Sequence, residues 1–184
     1  MGFEEYFDIL TTYVHALYEA GAYQKHAAMA DVVIEASIIN NVQVLHGMDI
    51  YEKTLYQKAS SLYHLHAYVS SAHILTELVK MNPNHTDYRD FLIKNRFQIK
   101  PAYLRSAQGT AIACYFLCIF IIAIASFYID PFQPAWSPMA EMARNLAFIS
   151  GTGILLCSDG IHRLRIIYKT MRLVQESKEK MKRS

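Results

Sequence analysis

The sequence predicts an all-α chain: a helical-repeat bundle of αα-hairpins, then a two-helix transmembrane hairpin, then a basic amphipathic tail helix. Three observations carry this expectation. Apolar residues recur at three- and four-residue spacing through roughly the first hundred positions, as the buried face of a helix requires. An uncharged run of 24 residues separates Arg105 from Asp130. Basic residues crowd both sides of that run, as lipid topology demands.

The composition sets the bounds. With 184 residues, 53% of them hydrophobic and 18% charged, the chain is too short for a large multidomain enzyme. It is also too apolar to remain a disordered coil. The net charge of +2 hides a segregation. Positions 1–88 sum to −6, 89–105 to +4, 106–161 to −2 and 162–184 to +6. A nucleic-acid groove would gather its bases along one face, so no nucleic-acid partner is expected. Cys114, Cys118 and Cys157 fall within apolar segments and read as small packing residues rather than a disulfide framework or a zinc site.

Five helices are expected in the first part, over 4–19, 22–40, 49–66, 68–81 and 86–97. Gly21, Gly47 and the Asn82-Pro83-Asn84 group mark the breaks, and HAY around Ala67 marks another turn. No stretch alternates long enough to argue for a sheet. The first membrane span is expected over 107–129, with Tyr128 and Trp136 at the interface. The second is expected over 139–161, opened by Ser137 as a cap and Pro138 in the first turn. Its uncharged core, 145–158, is short, so the span recruits flanks that hold Glu141, Arg144 and Asp159. The intervening DPFQPAWSP forces an antiparallel pair. Its seam is expected at Ala107, Ala111, Cys114 and Cys118 against Ala147, Gly151, Ile154 and Ser158, where small side chains permit close approach. Both termini are then cytoplasmic by the base counts, and the acidic MGFEEYFDIL reads neither as a signal peptide nor as a myristoylation site.

The tail carries apolar residues at Ile161, Leu164, Ile167, Tyr168, Met171 and Val174, with Arg163, Arg165, Lys169 and Arg172 elsewhere around the helix. Two roles fit this pattern: packing on the acidic bundle, or attachment to anionic lipid or a partner.

The segment LYQKASSLYHLHAYVSSAHILTELVKMNPN has Leu55, Ala59, Leu62, Tyr68, Ser71, Leu75, Leu78 and Pro83 where tetratricopeptide repeats place their small and aromatic positions. Upstream, Tyr13, Leu17, Gly21, Tyr23, His26, Ala30 and Val33 repeat that spacing. Over about half its length the chain therefore resembles a tetratricopeptide-repeat protein. The equivalent Leu17 and Leu62 lie 45 residues apart, against the 34 of tandem repeats, so an elongated helix or an insertion is expected around 40–50. Two units fall short of a solenoid, which implies a bundle that closes compactly or borrows a partner's helices. The resulting organisation is 1–100 as a cytoplasmic tetratricopeptide-like domain, 101–161 as the hairpin and 162–184 as the tail.

The histidines invite a metal site at His64, His66 and His73 with Glu77. Residues two apart on one helix face different ways, so no metal centre and no cofactor are expected. No phosphate loop, nucleophile elbow or HExxH occurs, and no catalytic residue is assigned. The candidates for partner binding or other function are Tyr23, His26, His66, Tyr68, His73, Asp159, His162 and Arg163. The expected function is a non-enzymatic, membrane-anchored adaptor or scaffold that offers a helical-repeat surface to a protein partner at the cytoplasmic face of a bacterial inner membrane. One alternative is a two-span effector or channel whose hairpins oligomerise; in layout this is similar to the two-span effectors of bacterial nucleotide-sensing defence systems. Another is a small membrane enzyme that uses Asp159, His162 and Arg163 on a lipid-like substrate.

Overall fold

A computed structural model describes residues 2–42, 44–45, 47–129 and 134–183. Positions 130–133 of the expected hairpin loop, and Gln43 and His46 of the expected insertion, lie outside the described residues. The elements run α1 (Phe3–Glu19), α2 (Tyr23–Ile39), β1 (Val44–Leu45), β2 (Met48–Asp49), α3 (Ile50–His64), α4 (Tyr68–Met81), α5 (Thr86–Gln98), α6 (Ala102–Ile124) and α7 (Ser137–Arg183). A π turn (Ala125–Ile129) follows α6, and a 3-10 turn (Pro134–Trp136) precedes α7. The fold is helical, as the periodicity implies. The one departure is a two-residue antiparallel ladder that pairs Val44 with Asp49 and Leu45 with Met48. This small hairpin fills the 40–50 stretch that lengthens the interval between the two helix pairs.

The chain divides into two compact units, Met1–Ile99 with Ile166–Ser184, and Lys100–Arg165.

In the first unit, three helices end in the same way. After α1 the amide of Gly21 donates to the Tyr18 carbonyl, and that of Ala22 to Leu17; after α3 the amide of His66 donates to Tyr63, and that of Ala67 to Leu62. After α2, Asn41 donates to Ile38 and Val42 to Ser37. These are Schellman closures, whose residue after the cap must be left-handed. Gly21, Asn41 and His66 accordingly have φ of +71°, +52° and +60°. Thus α1–α2 and α3–α4 are joined by turns of one geometry. Asp49 caps α3 by accepting the Glu52 amide at 2.9 Å.

Two apolar clusters hold this unit. Phe7, Leu10 and Val14 of α1 meet Ala30 and Val33 of α2 and Ile50 of α3. Ala59, Leu75, Leu78, Val79, Tyr88 and Leu92 form the second cluster, which Val174 of α7 completes. The buried row of the tail is therefore Ile166, Thr170, Val174 and Ser177. It is not the apolar row expected from the sequence: of that row Val174 alone is buried, while Leu164 and Tyr168 stand exposed. Polar partners explain the difference, because Arg96 donates to Thr170 Oγ1 at 3.0 Å and so rewards burial of a threonine.

In the second unit, α6 and the Ser137–Arg165 part of α7 lie antiparallel. Tyr103 OH meets His162 Nδ1 at 3.0 Å, Tyr115 OH meets Thr152 Oγ1 at 3.1 Å, and Cys118 Sγ reaches the Arg144 carbonyl at 3.5 Å. Contact is closest at Gly151, where a Cβ would stand 3.1 Å from Cys114 Cβ. Ala111 and Cys118 are buried opposite it, along the expected small-residue seam. One helix, Ala102–Tyr128 of 27 residues, is long and apolar enough to cross a membrane, its most apolar 18-residue window having a mean hydropathy of 2.5. Only 11% of that window is buried within the chain. Among the described residues no second helix passes the same measure, because charged flanks dilute the apolar part of α7.

Candidate functional site

The candidates cluster at helix junctions rather than around a single centre. At the α1–α2–α3 junction His26 is fully buried, with Nδ1 2.8 Å from Ser61 Oγ and Nε2 without a partner. Tyr18 tilts over the imidazole at 5.3 Å and its hydroxyl reaches Ser60 Oγ at 3.0 Å. Burial, and to a lesser degree the nearby His15, hold the His26 pKa below its usual 6.5. A serine beside a neutral imidazole is a nucleophile–base pairing in outline, but no substrate could reach one so enclosed. Its role is to fasten three helices. Tyr23 stacks on His64 at 4.4 Å, nearly parallel, at the outer edge of the same junction.

At the α3–α4 junction, His66 Nδ1 and Tyr68 OH lie 2.7 Å apart, and Tyr63 meets Tyr68 edge-on at 5.3 Å. The hydrogen bond offsets part of the cost of a left-handed histidine. His73 is exposed on α4, and Glu77 is engaged by Lys80 at 2.7 Å. His64, His66, His73 and Glu77 therefore do not converge. No group of three or more His, Cys, Asp or Glu among the described residues is arranged to hold a metal ion.

In the second unit, Asp159 accepts from Arg163 Nε at 2.8 Å in an exposed i,i+4 pair. Asp159 lies one turn before His162, whose Nε2 is buried without a partner among the described residues, and Arg163 follows it directly.

Sequence reasoning missed three features of the first unit. Asn95 of α5 is fully buried, and its amide is best oriented to donate to the Tyr68 carbonyl at 3.1 Å and accept the Ala72 amide at 3.0 Å. Arg96 is half-buried between Thr170 and Thr76, and desolvation lowers its pKa. The third is a cleft of 380 Å³ lined by Ser37, Ile38, Asn41, Val42, Asp49, Tyr51 and Met81. Ile38, Ile39 and Val44 are 62%, 71% and 60% exposed around it. The sequence signal was available in the Ser-Ile-Ile-Asn-Asn run, where an apolar pair ends the helix just before two polar residues.

No family model, no characterised protein and no solved structure matches this chain.

Proposed function

We propose that the chain is a membrane-anchored, non-enzymatic adaptor, held by its apolar hairpin, that presents the cleft at the end of α2 to a protein partner. The observation that carries this reading is the cleft itself. Ile38, Val42, Tyr51 and Met81 line it, while Asn41 and Asp49 supply polar groups. A lining that mixes apolar and polar groups suits a peptide-binding surface, and exposed aliphatic residues beside it add apolar area for a partner. The paired helices with matching Schellman turns support a tetratricopeptide-like arrangement. On this reading both spans cross the bilayer, α7 doing so with its charged flanks at the interfaces, and both termini face the cytoplasm of a bacterial cell. Self-association through the hairpin is compatible with it. Catalysis is disfavoured because the His26–Ser61 contact is sealed and Asp159 is engaged by Arg163.

The test replaces Tyr51 with a benzophenone amino acid in the full-length protein and irradiates native membranes. A discrete adduct of one partner is expected from Tyr51, and none from the same probe at Val69, which is exposed on α4 away from the cleft lining. Equal, diffuse labelling from both positions refutes the reading.

A further inference from the structure

Antiparallel packing in the second unit brings together bases that are 60 positions apart in the sequence. The Tyr103–His162 hydrogen bond, 3.0 Å long, aligns the start of α6 with the part of α7 that follows residue 161. At 1.5 Å per residue, Arg105 lies about 3 Å along α6 to one side of that level, and Arg163 and Arg165 lie about 1.5 and 4.5 Å along α7 to the other. Lys100 precedes α6 by two residues. The bases thus occupy a band of about 8 Å, close to the thickness of one headgroup layer. They sit immediately outside the apolar stretch of α6, and Ile161 and Leu164 between them are 58% and 69% exposed.

Three of these bases lack a pairing acid among the described residues. Arg163 is paired with Asp159. Among the described residues no acid pairs with Lys100, Arg105 or Arg165, and all three are exposed. The opposite end of the unit differs, since Glu141 and Arg144 there cancel in charge. An apolar surface with a collar of unpaired bases at one level fits one surrounding: acyl chains beside the aliphatic groups and phosphates beside the bases.

We propose that this collar, Lys100, Arg105 and Arg165 with Arg163, binds the headgroups of anionic phospholipids and selects them from the surrounding bilayer. The proposal rests on the membrane anchoring put forward above.

The full-length protein is reconstituted in vesicles of phosphatidylcholine with a minority of phosphatidylglycerol, then extracted in mild non-ionic detergent. Co-purified lipid is quantified by mass spectrometry. Phosphatidylglycerol is expected to be enriched over its bulk fraction. Arg105→Gln with Arg165→Gln should reduce the enrichment by about five-fold for each guanidinium removed, since one base near a lipid surface contributes about that factor. Arg105→Lys with Arg165→Lys should keep it, and Arg144→Gln should leave it unchanged. An unaltered melting profile of Trp136 fluorescence establishes that the variants remain folded. Enrichment equal to bulk, or equal in the glutamine and parent proteins, overturns the proposal. Resistance to alkaline carbonate extraction separates the two premises: a chain that stays inserted without enrichment refutes the collar alone, and one that is extracted refutes the anchoring and the collar with it. Loss of enrichment in dilute inorganic phosphate would assign the collar to soluble anions and also refute it.

Discussion

Acid should loosen the first unit through His26. The imidazole is fully buried, its Nδ1 is bonded to Ser61 Oγ, and its Nε2 has no protein partner among the described residues. A second proton on the ring would make a buried charge with no counter-ion beside it, and burial accordingly holds the pKa below 6.5. The groups around it add no anion: Tyr18, Ser60 and Ser61 are neutral, and His15 acts in the same direction as burial. Below pH 6.5 the unfolded state therefore binds one proton more than the native state, so stability is complete above that pH and falls as the pH drops. The limiting slope for one proton is about 1.4 kcal/mol per pH unit, ending where the native imidazole itself titrates. Amide hydrogen exchange of α2, measured in detergent from roughly pH 5 to 8 and corrected for intrinsic rates, gives the opening free energy directly. His26→Gln preserves most of the volume and removes the titration. The difference between parent and variant should be flat above pH 6.5 and slope below it, which separates His26 from every other titrating group. Parallel curves through the whole range would refute the reasoning.

Three further outcomes test the packing. Gly151→Leu should lower the thermal midpoint followed by Trp136 fluorescence, with an overpacking cost of about 1–3 kcal/mol, because a Cβ there already stands 3.1 Å from Cys114 Cβ. Gly153→Leu, with nothing within 4 Å of its Cβ, should not. His66→Gly should stabilise the first unit by up to about 1 kcal/mol, since relief of the left-handed backbone outweighs the lost bond to Tyr68, as measured by urea denaturation. Asn95→Asp should speed hydrogen exchange across α4 more than Asn95→Leu does, because a carboxylate cannot donate to the Tyr68 carbonyl and faces it at close range.

What the sequence revealed depended on whether burial followed polarity. The first five helices are bounded within one or two residues of expectation, because Gly21 and HAY interrupt a regular apolar period and Schellman turns close where they stand. The seam at Ala111, Cys118 and Gly151 was legible for a related reason, since only small residues allow such approach. The tail was not. Its most apolar face lies outward and a face containing Thr170 and Ser177 lies inward, because a tertiary partner, Arg96, decides which polar groups burial can satisfy. Asn95 was hidden likewise: within RDFLIKNRFQ it reads as surface, and only the arrival of α4 makes its amide a buried tie. The α2 cleft escaped notice because it forms where a helix end, a short ladder and the end of α4 converge.

Two helix pairs are too few for an open stack, and the first unit is unequal at its two sides. On the α4–α5 side, Val174 joins the cluster of Leu75, Leu78 and Leu92, while Thr170 and Thr76 receive the Arg96 guanidinium. The tail thereby buries that side of the unit and makes polar contacts that a purely aliphatic cover would leave unsatisfied. Among the described residues nothing comparable covers α1 and the end of α2, where Tyr6, Ile9 and Tyr13 follow one another at three- and four-residue spacing and Ile38 and Ile39 stand exposed. The tail buries apolar groups of the α4–α5 side, whereas α1 and the end of α2 keep theirs exposed. That asymmetry favours the α2 cleft over the α5 side as the position for a partner, and it predicts that truncating the tail opens the α4–α5 side without touching the cleft.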